Sequence, residues 1–290
     1  MKKDGRPSAL PRVILVIFCT LVTLIMLLSG FFNFTVCNAD KMAKKVVNTE
    51  FVDTAYELCL DDLESQCLYL VLPFEEMAKC VDKAEIKRVL LINVKEVFDA
   101  VFNKNEFNPV FYNSEYFKGA VDTYLDNYLK ENAVTVTDGA AEEITAALTG
   151  TVDLQLDVVN VGYIDEIRNM KPLMALFGLV SFVFIPSLLL TAILVFMIII
   201  LYRKNMVGGV YYALTACWAG VVVIFIPAIL IKLYNLPDKL IFSRSVIKIF
   251  LANGISTVSD SLVLMSALIF SAFSIGLLIT YSLKKKNKEK

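Results

Sequence analysis

Histidine is absent from this 290-residue chain. That absence excludes imidazole metal sites, serine–histidine nucleophilic pairs and the commonest proton shuttle of enzymes. No charged residue lies in the middle of a long apolar run, although ion-coupled transporters and proton relays normally place one there. The sequence also lacks a glycine-rich phosphate loop and a basic aromatic surface. We therefore expect no catalytic residue, no cofactor, no bound metal and no nucleic-acid partner.

Apolar residues dominate what is present, at 57% of the chain with a mean hydropathy of +0.64. Four runs are long enough to cross a hydrocarbon core of roughly 30 Å as helices. They are residues 13–34, 172–202, 207–232 and 261–283, in which the terminal Lys232 is the single charge. The sequence thus predicts an all-α integral membrane protein with four transmembrane helices.

The first apolar run is either a retained transmembrane helix or a cleaved signal peptide. A cleaved signal has an apolar core of about 7–15 residues followed directly by a small-residue site. The run 13–34 is longer, and its best candidate site, Cys37-Asn38-Ala39, lies beyond its end. We therefore expect an uncleaved first span.

Charge divides the chain into parts of opposite sign. Four spans place residues 1–12, 203–206 and 284–290 on one side, where 11 basic residues accompany 2 acidic ones. Residues 40–171, between the first two spans, hold 13 basic and 25 acidic residues, a net charge of −12. Because short basic flanks stay in the cytoplasm, we expect a plasma-membrane protein with both termini cytoplasmic.

The segment 35–171 is the only part large enough to fold in water, and we expect one mostly helical extracytoplasmic domain there. Residues 82–102 carry the clearest apolar stripe at helical spacing. Apolar residues from Met42 to Leu63 predict that the first span continues outward as a helix. Residues 152–158 alternate with period two and, having no partner strand, predict an extended segment.

The second outer segment, residues 233–260, is predicted to contain an interfacial helix. Lys239, Arg244 and Lys248 are interleaved with apolar residues over 238–253. Such a pattern is typical of a helix that lies in the plane of the membrane surface.

Four of the six cysteines fall in the predicted outer domain, namely Cys37, Cys59, Cys67 and Cys80. Disulfides persist in oxidising compartments, and four cysteines allow three pairings. Their spacing does not match a CxxC metal site, so we expect either structural disulfides or reduced core thiols. Cys19 and Cys217 lie in spans, where we expect small core residues.

Small residues and prolines mark the packing of the spans. The fourth span contains two pairs of small residues spaced four apart, Ala267 with Ser271 and Ala272 with Gly276. This spacing permits close helix packing, either within the bundle or at the face of a homo-oligomer. Pro186 and Pro227 are predicted to kink the second and third spans.

Two acidic clusters occur in the predicted outer domain, Asp61, Asp62 and Glu64 in one and Asp138, Glu142 and Glu143 in the other. Neither has the spacing of a calcium loop, so we interpret both as solvated helix faces or caps. They contribute to an acidic surface that attracts basic partners or cations.

One span, an outer domain and three further spans form an order that resembles uncharacterised bacterial four-span membrane proteins with a helical extracytoplasmic domain. More distantly it is similar to permease subunits of the FtsX and MacB type. We expect a non-enzymatic protein in the lipid bilayer whose acidic outer domain binds a protein partner, senses, or supports envelope assembly. The alternative is the membrane subunit of an ATPase-driven transport or envelope complex, and a lipid-acting hydrolase or transferase ranks third.

Overall fold

A computed structural model describes residues 9–102, 105–113, 115–132, 139–158, 161–202, 205–234 and 245–286. Every regular element in these ranges is helical, which confirms the all-α prediction. Four of the helices are long and apolar enough to cross a membrane, as a multi-pass membrane protein requires. The chain divides into an apolar unit, within Met1–Asn38, Lys171–Asp238 and Ile255–Lys290, and a helical domain, within Ala39–Met170 and Lys239–Gly254.

The elements in chain order are α1 (Ala9–Phe31), a π-helix (Phe32–Val36), α2 (Ala39–Val46), α3 (Thr49–Leu70), α4 (Phe74–Lys79), α5 (Lys83–Phe102), α6 (Glu115–Glu131), α7 (Ala140–Leu156), α8 (Val161–Asn169), α9 (Lys171–Leu201), α10 (Met206–Leu233) and α11 (Ser245–Lys286).

The core of the apolar unit lies between α1, α9 and α10. Its buried side chains are Cys19, Val22, Leu194, Ile198, Ala213, Ala216 and Cys217. Gly220 brings α10 close to α1, because a Cβ atom there would lie 3.1 Å from the Thr20 carbonyl oxygen. The Thr20 hydroxyl also donates to the Ala216 carbonyl oxygen at 3.1 Å. Small side chains on α10 therefore set the spacing of the two helices.

Helix α11 contacts α10 through larger side chains. The Trp218 indole donates to the Ser274 hydroxyl at 3.0 Å, and its ring lies 5.5 Å from that of Phe270. Lys232 pairs with Asp260 at 2.7 Å. Aromatic and polar contacts thus join these two helices, rather than close backbone approach.

The core of the helical domain is built from the apolar stripes of α2 to α8. On α5 the predicted stripe is buried at Ile86, Leu90, Val94 and Val97. The largest fully buried side chains from the other helices are Met42, Phe51, Leu63, Met77, Phe117, Leu148, Leu156 and Ile164. Side-chain burial, rather than intrinsic propensity, stabilises short helices of this kind.

Two local predictions differ from the structure. The segment 152–158 is not extended, since α7 continues to Leu156 and buries Val152. The first span does not continue outward as one helix, because the chain leaves helical structure at Asn38 and again at Asn48. Asn48 caps α3 by accepting from the Phe51 amide at 2.8 Å, which favours a new helix start.

The helix expected within 238–253 is described only in part, because Lys239 and Arg244 lie outside the described residues. Its described part, from Ser245, continues without a break into the fourth apolar helix. Phe250 and Val246 are buried in the helical domain, where the Phe250 ring lies 6.0 Å from that of Phe98. The Asn253 side chain donates to the Val46 carbonyl oxygen at 3.0 Å. The position of this segment at a membrane surface stays a prediction.

Candidate functional site

The candidate site of the helical domain is built around an irregular segment, residues 105–113, which we call the strap. It follows α5 in the chain and has neither helical nor strand structure. Its backbone polar groups consequently need partners other than a regular ladder. Side chains from neighbouring helices supply them.

Asn93 holds the middle of the strap. Its carboxamide oxygen accepts from the Val110 amide at 2.8 Å, and its nitrogen donates to the Val110 carbonyl at 3.1 Å. Asn93 lies on the buried face of α5 and is only 6% exposed. A buried carboxamide paired at both ends fixes the strap at one residue.

Tyr112 anchors the end of the strap. Its amide donates to an Asp153 carboxylate oxygen of α7 at 2.5 Å, and its phenol oxygen accepts from the Asp82 amide at 3.0 Å. At the start of the strap, Arg168 donates to the Asn105 carbonyl oxygen at 2.8 Å. Helices α5, α7 and α8 therefore all hold this segment.

A cavity of about 300 Å³ lies between the strap, α5 and the end of α7. Its lining residues are Asn93, Val97, Phe107, Pro109, Val110, Phe111, Asp153, Leu156, Asp157 and Val158. Most of these side chains are apolar, and Asn93, Asp153 and Asp157 supply the polar groups. Apolar walls with a few convergent polar groups are typical of binding sites.

Electrostatics give the cavity a preference for positive charge. Burial raises the pKa of Asp153, and the hydrogen bond from the Tyr112 amide opposes that shift. An anionic Asp153 is thus destabilised by desolvation and gains from a cation placed in the cavity. The segment 40–171, which includes Asp153 and Asp157, carries a net charge of −12.

The four predicted disulfide cysteines are not joined in the structure. Cys59 and Cys67 are buried on the same helix, and a separation of eight residues puts them about 12 Å apart along its axis. This distance exceeds the span of a disulfide, so these two cannot pair with each other. Cys37 and Cys80 are half-buried.

The two cysteines expected within spans lie in the core of the apolar unit. Cys19 is fully buried on α1, and Cys217 of α10 accepts a 3.8 Å hydrogen bond from Thr23. The structure thus places both where the sequence suggested.

The residues predicted to pack the fourth span behave differently from one another. Ala267 and Gly276 are half-buried, whereas Ser271 and Ala272 are exposed. A Cβ atom at Gly276 would lie 3.4 Å from the Leu214 side chain, an ordinary contact distance. Of these four small residues, Gly276 therefore contacts α10, whereas Ser271 and Ala272 lie on an exposed face of α11.

The two prolines lie inside continuous helices, Pro186 in α9 and Pro227 in α10. Near Pro186, the Ser187 hydroxyl donates to the Phe184 carbonyl oxygen at 2.8 Å. Because Pro186 has no backbone N–H, the helical donor is missing at the carbonyl four residues earlier, that of Phe182, and not at Phe184.

The two acidic clusters do not form a metal site in the described residues. Asp61 and Glu64 are exposed on α3, while Asp62 accepts a hydrogen bond from Gln155. Glu142 and Glu143 lie exposed in the first turn of α7, and Asp138 is outside the described residues.

Sequence reasoning missed the residues that hold the strap. The sequence does contain an indication for Asn93, because this polar residue lies four positions from both Val89 and Val97, on the apolar face of the helix. It also missed an exposed apolar patch at the end of α3, formed by Leu68, Tyr69 and Val71. Clustered exposed apolar residues are typical of contact surfaces.

Comparisons of the chain with protein-family models, with curated proteins and with solved structures find no match.

Proposed function

We propose that the protein is a non-enzymatic membrane protein whose acidic helical domain captures a basic protein partner at the strap cavity. The observation that carries this proposal is the half-buried carboxylate of Asp153 inside a mostly apolar cavity. A lysine or arginine side chain matches both features, because its stem is apolar and its head is cationic.

The strap adds aromatic groups suited to a cation. Phe111 is 66% exposed, and Phe107 also lines the cavity. A cation positioned over an aromatic ring gains further attraction. The acidic surface would steer such a partner towards the site and make association sensitive to salt.

The experiment places a photo-crosslinking amino acid at Phe111 in the full chain in native membranes. A matched control carries the same label at Tyr128, an exposed aromatic residue on α6. We expect a partner crosslinked from position 111 alone, with yield falling as salt rises. Crosslinks of equal yield from both positions would contradict a specific site.

Asp153→Asn then tests the charge. The amide oxygen still accepts from the Tyr112 amide, so the strap keeps its anchor while the anion is lost. We expect at least a tenfold loss of partner retention, in line with about 1.5–3 kcal/mol for a charge-assisted contact. Retention equal to wild type would remove Asp153 from the proposal.

The proposal includes a topology, with both termini cytoplasmic and the helical domain outside a bacterial plasma membrane. The basic excess on residues 1–12, 203–206 and 284–290 supports it. Single-cysteine variants at Asn127 and Lys288 would be treated with an impermeant thiol reagent in intact cells. Labelling at position 127 alone is expected, and labelling at position 288 alone would reverse the topology.

A further inference from the structure

We propose that the apolar unit binds the headgroup of an acidic phospholipid at the end where α9 and α10 join. The site contains four rings that we call the tyrosine cluster, Tyr202, Tyr211, Tyr212 and Tyr281. Tyr202 and Tyr212 stack with centroids 4.8 Å apart, and Tyr211 lies 5.7 Å from Tyr212 and 6.4 Å from Tyr281. The cluster joins the end of α9 to α10 and α11.

Two cations lie over these rings. The Arg12 guanidinium is 4.9 Å from the centroid of Tyr202. The Lys284 ammonium is 4.5 Å from the centroid of Tyr211 and 4.9 Å from that of Tyr212. Arg12 belongs to α1 and Lys284 to α11, so helices from both ends of the chain bring positive charge to one place. Their ring contacts hold the two heads in fixed positions.

No carboxylate among the described residues forms an ion pair with either cation. The buried Nε of Arg12 makes no hydrogen bond. Asp260, the acidic residue that the structure describes in this unit, is paired with Lys232. Within the described residues, the positive charge at this end has no compensating carboxylate, and an external anion would balance it.

The chemistry of the groups indicates a phosphate. Guanidinium and ammonium groups donate to phosphate oxygens, and tyrosine hydroxyls add neutral donors. Lys285 and Lys286 are exposed beside Lys284 and favour a headgroup with net negative charge over a zwitterionic one. Arg12 is followed directly by the exposed apolar residues Val13 and Ile14, which suit acyl chains. A lipid is therefore favoured over a soluble phosphate.

A matched pair of lysines distinguishes a built site from general surface charge. Lys284 contacts two rings, whereas Lys285 is an exposed neighbour. Replacing either by glutamine removes one positive charge at nearly the same depth. A general electrostatic attraction responds equally to both changes, but a site at the tyrosine cluster responds to Lys284→Gln.

The experiment uses the purified full chain, delipidated in neutral detergent and titrated with phosphatidylglycerol or phosphatidylcholine under native mass spectrometry. We expect one phosphatidylglycerol molecule bound more tightly than phosphatidylcholine. Lys284→Gln and Arg12→Gln should each weaken its binding about tenfold, the equivalent of one charge-assisted contact. Lys285→Gln should leave binding within twofold of wild type, and Lys284→Arg should retain it.

Three outcomes would overturn the proposal. Equal binding of the two lipids would show no headgroup preference, and equal weakening by Lys284→Gln and Lys285→Gln would indicate surface charge alone. Glycerol phosphate competing as well as the intact lipid would identify a soluble phosphate as the ligand. The thermal midpoint of each variant is measured in parallel, and Lys284→Arg, which keeps the charge, separates lost binding from lost folding.

Discussion

The Asn93 side chain and the Val110 backbone exchange two hydrogen bonds, at 2.8 Å and 3.1 Å. This exchange gives the strap the pairing that a strand would receive from a neighbouring strand. It also makes one side chain of α5 responsible for the position of the cavity wall. The functional proposal depends on that wall being ordered before a partner arrives.

Asn93→Ala should loosen the strap. The change leaves the part-buried amide and carbonyl of Val110 without their partners, at a total cost of about 1–3 kcal/mol. Hydrogen–deuterium exchange of the full chain should show faster exchange over 105–113. Asn127→Ala is the control, since Asn127 is exposed on α6. Unchanged exchange in the Asn93 variant would show that other anchors suffice.

The contrast between α5 and α7 shows which parts of the fold were predictable. The apolar residues of α5 recur only at helical spacing, so the sequence predicts a helix there, and the structure contains it. Apolar and polar residues alternate over 152–158, yet Leu148, Val152 and Leu156 also lie four apart and are buried, whereas Leu154 is 54% exposed. Two periods compete in that stretch, and tertiary burial selects the helical one.

The strap cavity was less predictable than the helices. The side chains that hold the strap come from α5, α7 and α8. No local sequence pattern predicts that Asn93 bonds to a residue 17 positions away or Asp153 to one 41 positions away. The four apolar spans were the most predictable feature, because length and hydropathy alone identify them. Which helices pack against each other depends on contacts between distant residues, and a single sequence does not identify those contacts.

Gly220→Leu should disrupt the packing of α1 against α10. A Cβ atom at Gly220 would lie 3.1 Å from the Thr20 carbonyl oxygen and 3.3 Å from the Leu24 amide nitrogen. Backbone atoms cannot rotate aside, so we expect a loss of about 1–3 kcal/mol or more from overpacking. Gly178→Leu is the matched control, because no described atom beyond its chain neighbours and its own helix backbone lies within 4 Å of its Cβ position. Thermal unfolding in detergent should lower the midpoint for Gly220→Leu alone, and equal midpoints would contradict the close contact.

Val71→Gly should stabilise the helical domain. Val71 ends α3 with φ of 57°, a left-handed conformation that is rare for a β-branched residue. Its side chain is 76% exposed, so little buried area is lost. Relief of the left-handed strain is worth about 1–2 kcal/mol, reduced by the greater entropy of glycine when unfolded. A higher unfolding midpoint is expected, and a lower one would show that the Val71 side chain makes a stabilising contact.

Cys59 should resist alkylation in the folded protein and make its stability depend on pH. Burial, together with the negative charges of Asp62 and Asp153, raises the pKa of Cys59 to about 12. The ordinary thiol value is about 8.5, so the folded state holds this proton more tightly than the unfolded state does. The contribution of Cys59 to the free energy of unfolding is therefore fully present below a pH of about 8.5. It is lost as the pH rises towards 12.

Two measurements test this thiol. Iodoacetamide mapping of the full chain by mass spectrometry should modify the half-buried Cys80 before the buried Cys59, and it also reports any disulfide. Urea unfolding should show that the wild type loses stability as the pH rises above 8. Cys59→Ala should lose less, and the two proteins should differ in slope by at most about 1.4 kcal/mol per pH unit. Burial also raises the pKa values of Cys67 and Cys80. Both residues are present in the wild type and in Cys59→Ala, so their effects cancel when the two pH profiles are subtracted. Cys59 reacting as fast as Cys80 at pH 8, or identical pH profiles with and without its thiol, would show that Cys59 is accessible in the native domain.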